Sequence, residues 1–330
     1  MPEKVAPGAW SVSVRSEPSA DWDAFVRARP SASVYMLSGW AELVRTVFGH
    51  AAFFIEARDA AGALAGILPV IRQRRFLLGN FATSLPFFNY GGALTDHAPL
   101  ATRLMEQARV LAEELGCSYL EFRDTQPREG DWTVRTDKVG MVLELPPTFD
   151  ELARRLGSKL RSQVRRAERE APQVRVGGAA LLDDFYDVFA HNMRDLGTPV
   201  YPRRFFAAIL ERFPDHCRLV VVYRAGTPAA AGFVVLYNGR AEIPWAACRA
   251  EAKPLGFNMR LYWEVLDLAV REGCTSFDFG RSTVDAGTYR FKKQWGAQPV
   301  QLYWHRWQRR PDRQAADGAP QRSRFMQYAT

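Results

Sequence analysis

One stretch of the sequence occurs twice. Leu111–Phe122 matches Leu268–Phe279 at an offset of 157 residues, with identical residues at the leucine, alanine, glycine, cysteine and phenylalanine positions. Each copy follows a strand hairpin and a loop; in the first half the hairpin is Phe53–Ala57 and Leu64–Ile71, extended by Phe76–Leu78. A shared order of elements indicates that a whole domain is duplicated. We therefore predict an α/β fold (α+β mixed) of two tandem domains, each with a mixed sheet flanked by helices.

The boundary between the domains is expected at Pro146 and Pro147, which interrupt the pattern. Thr148 and Glu151 then have the spacing at which a helix cap and the third helical residue satisfy each other's free backbone donors. The expected division is an N-terminal domain at 1–147, a C-terminal domain at 148–307 and a basic, disordered tail at 308–330.

Composition indicates an ordinary soluble globular protein, with 47% apolar and 24% charged residues. No apolar run approaches the roughly 20 residues that span a bilayer, so no transmembrane segment is expected. The N-terminus lacks the apolar core of a signal peptide. A cytoplasmic location is therefore expected.

Metal and disulfide chemistry is not expected. The four cysteines stand singly and far apart, without the paired spacing of a zinc site or a disulfide framework, and they are expected to be small core residues. The five histidines do not cluster, and no Ser/His/Asp arrangement is discernible. No metal or cofactor is therefore predicted.

The net charge of +8 is concentrated in two places, the predicted helix 152–170 and the tail after Trp307. Such patches attract phosphates, tRNA or anionic lipid. The alternative is a solvated helix face and a disordered tail. The sequence leaves both interpretations open.

The second copy of the repeat leads into the most distinctive segment, Cys274–Trp304. An alternating run ends in Gly280-Arg281-Ser282, a polar loop and GTYRFKKQWG follow, and a second alternating run extends from Gln298 to Trp304. Two strands should therefore hold the intervening charged groups at one edge of a sheet. The first copy lacks Phe-Lys-x-x-Trp-Gly, so the chemistry is expected in the second domain.

The order of hairpin, loop, helix and a strand closing with Gly-x-x-x-x-[Asp/Glu]-Phe resembles acyltransferases of the GNAT superfamily. In that superfamily the loop before the helix normally carries Gln/Arg-x-x-Gly-x-Gly/Ala, whose amides hold the pyrophosphate of acetyl-CoA. Neither SLPFFNYGG in the first half nor RAEAKPLGFN in the second half has this stretch. Acetyl-CoA is therefore not expected to bind in the usual way.

A tandem GNAT-like architecture with FDFGRS and GTYRFKKQWG resembles the FemAB family of aminoacyl- and peptidyltransferases. The resemblance covers essentially residues 10–306 and is greatest to the branch associated with PEP-CTERM/exosortase loci. It implies amide formation by attack of an amine on an activated acyl group, without metal or acyl-CoA. The donor would be aminoacyl-tRNA or an acyl thioester, and the acceptor an amine-bearing envelope precursor.

The resemblance also implies catalytic residues. Lys292, directly after Phe in the motif, would stabilise the tetrahedral oxyanion. Tyr289 would contact substrate or support the lysine, or simply be packed. Asp278 would orient the amine and Arg281 a carboxylate or phosphate, unless the two pair with each other. Lys293 is a further substrate-binding candidate that should point elsewhere if this turn is helical.

Further substrate-binding candidates lie on loops. Asn89 and Tyr90 stand in an apolar loop bordered by glycines, where turn formation is the alternative explanation. Asn258 and Arg260 begin the helix after the second loop, where they would meet an anion, although Asn258 is also a plausible helix cap. Tyr201 precedes Pro202 where peptidoglycan-modifying members have an arginine for nucleotide-sugar phosphates.

Three functions follow from these observations. The leading hypothesis is a FemAB-like N-acyltransferase acting on a cell-envelope or exopolysaccharide precursor. The second is a GNAT-type N-acyltransferase that uses acyl-CoA or an acyl-carrier protein. The third is a non-catalytic binding or scaffold protein of the exopolysaccharide/exosortase system, docked through helix 152–170 and the tail.

Overall fold

The computed structural model of the protein describes residues 10–75 and 79–309. The predicted extension Phe76–Leu78 and residues 310–330 of the expected tail lie outside the described residues. In chain order the strands and helices are β1 (Ser11–Arg15), α1 (Trp22–Arg27), α2 (Ser38–Phe48), β2 (Ala51–Arg58), β3 (Leu64–Arg75), β4 (Gly79–Thr83), β5 (Leu94–Thr95), α3 (Ala98–Glu114), β6 (Tyr119–Asp124), β7 (Thr133–Arg135), β8 (Lys138–Glu144), α4 (Phe149–Arg155), α5 (Ser158–Glu168), β9 (Gln173–Gly177), α6 (Leu182–Asp195), α7 (Arg203–Arg212), β10 (Cys217–Arg224), β11 (Thr227–Tyr237), β12 (Arg240–Cys248), α8 (Phe257–Arg271), β13 (Ser276–Thr283), α9 (Gly287–Gln294), β14 (Gln298–Gln301) and β15 (Tyr303–Gln308).

The chain divides into two compact units. The first unit ends at Thr136 and resumes at Leu302, and the second unit is Asp137–Gln301. The second unit therefore begins before the expected boundary between 147 and 148. It also ends before the expected limit at 307. Each unit contains one mixed sheet flanked by helices, which is the fold class predicted from the repeat.

The sheet of the first unit has the strand order β1-β2-β3-β4-β6-β15-β7, with β5 added to β3. Its neighbours are antiparallel except for β4 and β6. Helix α3 packs on β2 and β3. Its buried residues Leu100, Leu104 and Ala108 lie on one face of the helix, because they recur at intervals of four.

The sheet of the second unit has the order β14-β8-β13-β12-β11-β10-β9, in which only β12 and β13 run parallel. Adjacent residues of a strand point to opposite faces. Val234 accordingly joins the core beneath α8, whereas Phe233 packs against Phe206 and Trp245 in an aromatic cluster with α6 and α7. Both faces of the sheet are therefore buried.

One strand of each sheet comes from the other half of the sequence. β8 follows β7 of the first unit but pairs between β13 and β14, and β15 follows β14 but pairs between β6 and β7. The two strands thus occupy the same position in their sheets. This exchange explains why the limits of the two units differ from the expected boundaries. Alternation in a sequence indicates which face of a strand is buried but not which strand lies beside it.

The repeat has the same local geometry in both halves. Helices α3 and α8 each end at a left-handed glycine, Gly116 with φ 68° and Gly273 with φ 72°. The N–H groups of Cys117 and Cys274 then donate to the carbonyl five residues earlier, at 2.8 Å and 2.9 Å. These bonds satisfy carbonyls that a helix end would otherwise leave free.

Two predicted elements are each divided in the structure. The helix expected over 152–170 is interrupted at Leu156, where the backbone is extended, and Gly157 becomes the cap of α5. The four-residue spacing of apolar residues continues across Gly157, but the helix does not, because glycine is a poor helix former. The alternating run from Gln298 to Trp304 is divided between β14 and β15 of different sheets.

Candidate active site

The parallel strands β12 and β13 separate part-way along their length. Their register ends at the pair Glu242 and Asp278, although β12 continues to Cys248 and β13 to Thr283. Beyond that pair the two strands no longer bond to each other. Their backbone groups must therefore find other partners, which makes this the point at which polar side chains and ligands can reach the sheet.

Both strands are irregular at this level. The register of β13 with β8 shifts between Asp278 and Arg281, and that of β11 with β12 shifts next to Glu242. Gly280 lies at the shift in β13 with φ 74°, and its N–H donates to Asp278 Oδ1 at 2.7 Å. Such bulges re-aim side chains and end strand pairing. The Gly-Arg-Ser sequence after Phe279 is thus the bulge rather than the end of the strand.

Lys292 completes the bulge from helix α9. Its side chain is 8% exposed, and Nζ donates to the carbonyls of Gly280 at 3.0 Å and Arg281 at 2.8 Å. Both carbonyls belong to the part of β13 beyond its last pair with β12. An ammonium has three N–H donors, so one remains for another acceptor.

Burial lowers the pKa of Lys292 to about 8. Nearby Asp278 and, to a smaller extent, Glu242 raise this pKa, whereas Arg281 lowers it. The ammonium is therefore about tenfold in excess over the neutral amine at pH 7. A charged donor with its charge poorly solvated is well suited to stabilise an oxyanion.

The structure brings together Lys292, Asp278 and Arg281 of the predicted catalytic group. The fourth, Tyr289, is 9% exposed and belongs to the apolar core of the second unit. Lys293 is exposed, with Nζ 5.7 Å from the centre of the Tyr289 ring. Lys292 and Lys293 thus point in different directions, as a helical turn requires.

Glu242 was not predicted from the sequence. It stands opposite Asp278 in the parallel register and influences the pKa of Lys292. The available signal was an acidic residue between the buried Ala241 and Ile243 of a strand inside the sheet. Strand alternation alone does not show that two acidic residues from distant parts of the sequence are neighbours.

The start of helix α8 is closely covered by α5. A Cβ at Gly256 would lie 2.6 Å from the carbonyl oxygen of Gln163. Arg260 forms ion pairs with Glu168 at 2.9 Å and Glu264 at 2.6 Å. Burial raises the pKa of Glu264 and Arg260 lowers it. The guanidinium predicted to meet an anion is thus already held by two carboxylates.

Asn258 lies in the first turn of α8 and is half-buried. The helix cap is Gly256, and no side chain caps the helix, so the alternative explanation of Asn258 as a cap is wrong. The backbone N–H of Asn258 lowers the pKa of the Cys248 thiol. Burial nevertheless raises the pKa of that thiol to about 12, so it is neutral.

The remaining predicted residues lie elsewhere. Tyr201 packs in the aromatic cluster of the second unit, 5.4 Å from Phe205 and 6.3 Å from Trp245 between ring centres. Asn89 and Tyr90 belong to the first unit and are half-buried. They occupy the loop after β4, next to the buried Phe88.

Across residues 10–75 and 79–309, no group of three or more histidine, cysteine or acidic side chains is arranged to hold a metal ion. None of the helices in those ranges has the length and apolar character needed to cross a membrane.

Residues 154–293 match the family model described as acetyltransferase (GNAT) domain. This range includes the bulge of β13 and ends just after Lys292. The fold is GNAT-like. The second half of the chain therefore carries a GNAT-type acyltransferase domain. A search among curated proteins found no sequence match.

Solved structures with the same fold cover nearly the whole chain. FemX has 14% identity and a TM-score of 0.65, covering 88% of this chain and 96% of its own. A tandem GNAT protein of the clavulanic acid biosynthesis pathway has 10% identity and a TM-score of 0.60, covering 92% and 100%. The C-terminal domain of a putative lysylphosphatidylglycerol synthetase from Agrobacterium fabrum has 13% identity and a TM-score of 0.57, covering 86% and 90%. At these identities the likeness concerns the fold.

Proposed function

We propose that the protein is a FemAB-like N-acyltransferase that forms an amide between an activated acyl or aminoacyl donor and an amine. The observation that carries the proposal is the buried ammonium of Lys292 at the bulge of β13, beside Asp278 and opposite Glu242. Amide formation needs a cation for the oxyanion and an acceptor for the proton of the attacking amine. This cluster has both.

The reaction would proceed by addition and elimination. The acceptor nitrogen attacks the acyl carbonyl, and the carbonyl π electrons move to oxygen as the C–N bond forms. The remaining N–H of Lys292 stabilises this oxyanion. Collapse of the intermediate re-forms the C=O bond and breaks the bond to the leaving oxygen or sulfur. A carboxylate of Asp278 or Glu242 takes the proton of the amine and passes it to a leaving alkoxide, whereas a thiolate leaves without a proton. Arg281 would bind an anionic group of a substrate.

The donor we favour is aminoacyl-tRNA or an acyl thioester other than free acyl-CoA. Free CoA requires room for a pyrophosphate at the start of a helix. At the start of α8 that room is reduced by the carbonyl of Gln163, and Arg260 is paired with two carboxylates. The name of the lysylphosphatidylglycerol synthetase among the structural relatives describes an aminoacyl product, in agreement with an aminoacyl donor.

The acceptor we propose is an amine of a cell-envelope or exopolysaccharide precursor, modified in the cytoplasm within a PEP-CTERM/exosortase system. This assignment rests on the sequence resemblance of FDFGRS and GTYRFKKQWG. Asn89, Tyr90, Tyr201, Asn258 and Lys293 stay candidates for binding one of the substrates. Tyr289 would support α9 through packing.

Acyl-CoA-dependent transfer is the second candidate, because residues 154–293 match a family described by acetyl transfer. Calorimetry with acyl-CoA separates the two. Micromolar binding of acyl-CoA would favour the second candidate, and its absence would favour the first.

The proposal is tested by comparing envelope precursors from cells with and without the protein, followed by reconstitution with purified donors. We expect one precursor to lose a mass equal to an acyl or aminoacyl group when the protein is absent. Lys292→Met should abolish the modification, whereas Lys293→Arg, which keeps a cation on the exposed side of α9, should retain it. A precursor pool unchanged by deletion of the protein would contradict the proposal and favour a non-catalytic scaffold.

A further inference from the structure

The second unit buries few polar side chains. Apart from aromatic and cysteine residues, those buried within Asp137–Gln301, all of which the structure describes, are Asn192, Ser282 and Lys292. Asn192 accepts a hydrogen bond from Lys253 at 3.3 Å, and Lys292 donates to the two carbonyls of the bulge. The hydroxyl of Ser282 has no hydrogen-bond partner within the chain, although the side chain is only 4% exposed. Burying a hydroxyl without a partner costs stability, so this position requires an explanation.

Ser282 lies on the part of β13 that has separated from β12. Its partner in the register with β8 is Val139, and residues directly opposite each other in an antiparallel pair have their side chains on the same face. Val139 belongs to the apolar cluster that contains Tyr289 of α9, and α9 packs on β8 and β13. The hydroxyl is therefore on the face of the sheet that α9 covers, beside the opening between the two strands.

Lys292 reaches the same peptide group from α9. Its Nζ donates to the carbonyl of Arg281 at 2.8 Å, and that carbonyl belongs to the peptide bond that joins Arg281 to Ser282. The third N–H of the ammonium and the O–H of Ser282 both have no acceptor within the chain, and they adjoin one peptide group. Fixed donors of this kind are what an oxyanion site is made of.

The two carboxylates of the site lie on the opposite face of the sheet. Asp278 pairs with Val142 of β8, which is three residues from Val139 and therefore points the other way. Glu242 shares the face of Asp278, because the two are in register. The proton acceptors for the amine and the hydroxyl of Ser282 are thus on opposite sides of the opening. An amine attacks a carbonyl carbon from the side away from its oxygen, which suits this arrangement.

We propose that Ser282 is a further catalytic residue, whose hydroxyl donates to the oxyanion of the tetrahedral intermediate together with the ammonium of Lys292. This inference rests on the proposed transfer function. As the amine adds, the π electrons of the acyl C=O bond move to oxygen, and both donors bind that oxygen without giving up their protons. When the C=O bond re-forms and the leaving group departs, the oxygen loses its charge and both hydrogen bonds weaken.

The test compares single-turnover amide formation by the full-length parent, Ser282→Ala and Lys292→Met. The acceptor is the precursor that accumulates in cells lacking the protein. The donors are total aminoacyl-tRNA and the acetyl thioester of N-acetylcysteamine. Ser282→Ala should lower the rate by about 100-fold, which is the effect of removing one donor from an oxyanion site.

The matched control is Thr283→Val, which removes a hydroxyl from the next residue of β13. This hydroxyl is exposed and accepts from Lys138 Nζ at 2.6 Å. Because adjacent residues of a strand point to opposite faces, it lies away from α9. We expect the control to change the transfer rate by less than about twofold.

Two further measurements separate a catalytic role of Ser282 from a structural one. Removal of a buried hydroxyl that has no partner should leave the denaturant midpoint of unfolding unchanged or raise it. The transfer rate of Ser282→Ala should keep the parent's dependence on pH, because the hydroxyl does not titrate in this range and acts on the oxyanion rather than through Lys292.

A loss of less than about threefold in Ser282→Ala, with Lys292→Met inactive, would overturn the inference and leave the proposed function intact. The hydroxyl would then be satisfied by a buried water. A lowered midpoint or a shifted pH profile in Ser282→Ala would also overturn it, since the residue would act through the fold or through Lys292. A parent that forms no amide with either donor would contradict the proposed function, and the inference with it.

Discussion

Strands β6 and β13 are equivalent members of the repeat, and they differ in how the acid at the end of the parallel register is neutralised. Glu121 of β6 is aligned with Thr83 of β4, as Asp278 of β13 is aligned with Glu242 of β12, and in each case this is the last pair of the parallel register. In the first unit Glu121 bonds to Arg123 of the same strand, at 3.4 Å from Oε1 to Nε. Both side chains are buried, at 6% and 1% exposure.

In the first unit, internal contacts use the charge of the cation that neutralises Glu121. The guanidinium of Arg123 also donates to the carbonyl of Phe88 at 2.5 Å and lies over the ring of Trp304 at 4.6 Å. Its charge is therefore used within the unit. In the second unit the cation is supplied instead by Lys292 of α9, and the first unit has no helix between β6 and β7. The comparison indicates that the added helix turned a structural position of the duplicated fold into a site with a spare donor.

The largest expected effect is a loss of stability at the buried pair of Glu121 and Arg123 in the first unit. Arg123→Met leaves Glu121 buried without its cation, and removing one partner of a buried pair costs about 3–5 kcal/mol. Lys292→Met should lower the free energy of unfolding by less, because the acid that it leaves behind, Asp278, is only half-buried and keeps access to water. Chemical denaturation of both variants measures the difference. Equal losses would show that the two cations have the same structural role.

A second prediction concerns the dependence of stability on pH. The pKa of Lys292 is about 8 in the folded state, below the 10.5 of an ordinary lysine. Between pH 8 and 10.5 the unfolded chain therefore binds more protons at this residue, and stability rises with pH. The gain is about 3 kcal/mol for a shift of this size.

Lys292→Met should lack this gain. The measurement is the difference in free energy of unfolding between parent and variant across that pH range. Other titrating groups contribute equally to both proteins and cancel. A difference that does not change with pH would mean that the lysine is not buried as described.

A third, smaller effect sharpens the comparison between the two acids. Asp278→Asn keeps an oxygen to accept the N–H of Gly280 but removes the charge that raises the pKa of Lys292. The pKa of Lys292 should therefore fall below about 8, and the alkaline decline of the transfer rate should begin at lower pH. Glu121→Gln should leave the pH profile of transfer unchanged. A shifted profile in the Glu121 variant would contradict the division of roles.

The smallest effect tests the equivalence of the two halves. Gly116→Ala and Gly273→Ala each place a side chain on a left-handed residue, without a close contact for the added Cβ. Each should destabilise the protein by about 1 kcal/mol, from backbone strain alone. Thermal or chemical unfolding would measure both changes. A difference of several kcal/mol between them would mean that the repeat is not equivalent at the helix ends.

The sequence predicted the parts of the molecule that depend on local periodicity. Apolar residues recur at helical spacing through Ser38–Phe48 and Ala98–Glu114, and the structure has helices α2 and α3 there. Apolar spacing and a glycine at the helix end carry this information within one turn or two. The repeat also predicted the fold class, because two copies of the same order of strands and helices require two sheets.

Partnership between strands could not be predicted. The exchange of β8 and β15 places neighbours together that are far apart in sequence, and neither strand carries a residue that identifies its neighbour. The same limit hid Glu242, which becomes part of the candidate site only through its register with Asp278. Lys292 could be proposed because the motif resembles a family, but its bonds to the bulge carbonyls depend on an irregularity that periodicity does not encode.

The central claim is that a protonated Lys292 in the second half supplies the donor for acyl transfer. It is tested most directly by the ratio of single-turnover transfer rates of the parent and Lys292→Met from pH 6 to pH 10, because titration of the acceptor amine cancels in the ratio. We predict a ratio of about 10²–10³ below pH 8 that falls toward one above it, as the ammonium loses its proton. A ratio near one at neutral pH, or a large ratio that does not decline above pH 8, would contradict the account.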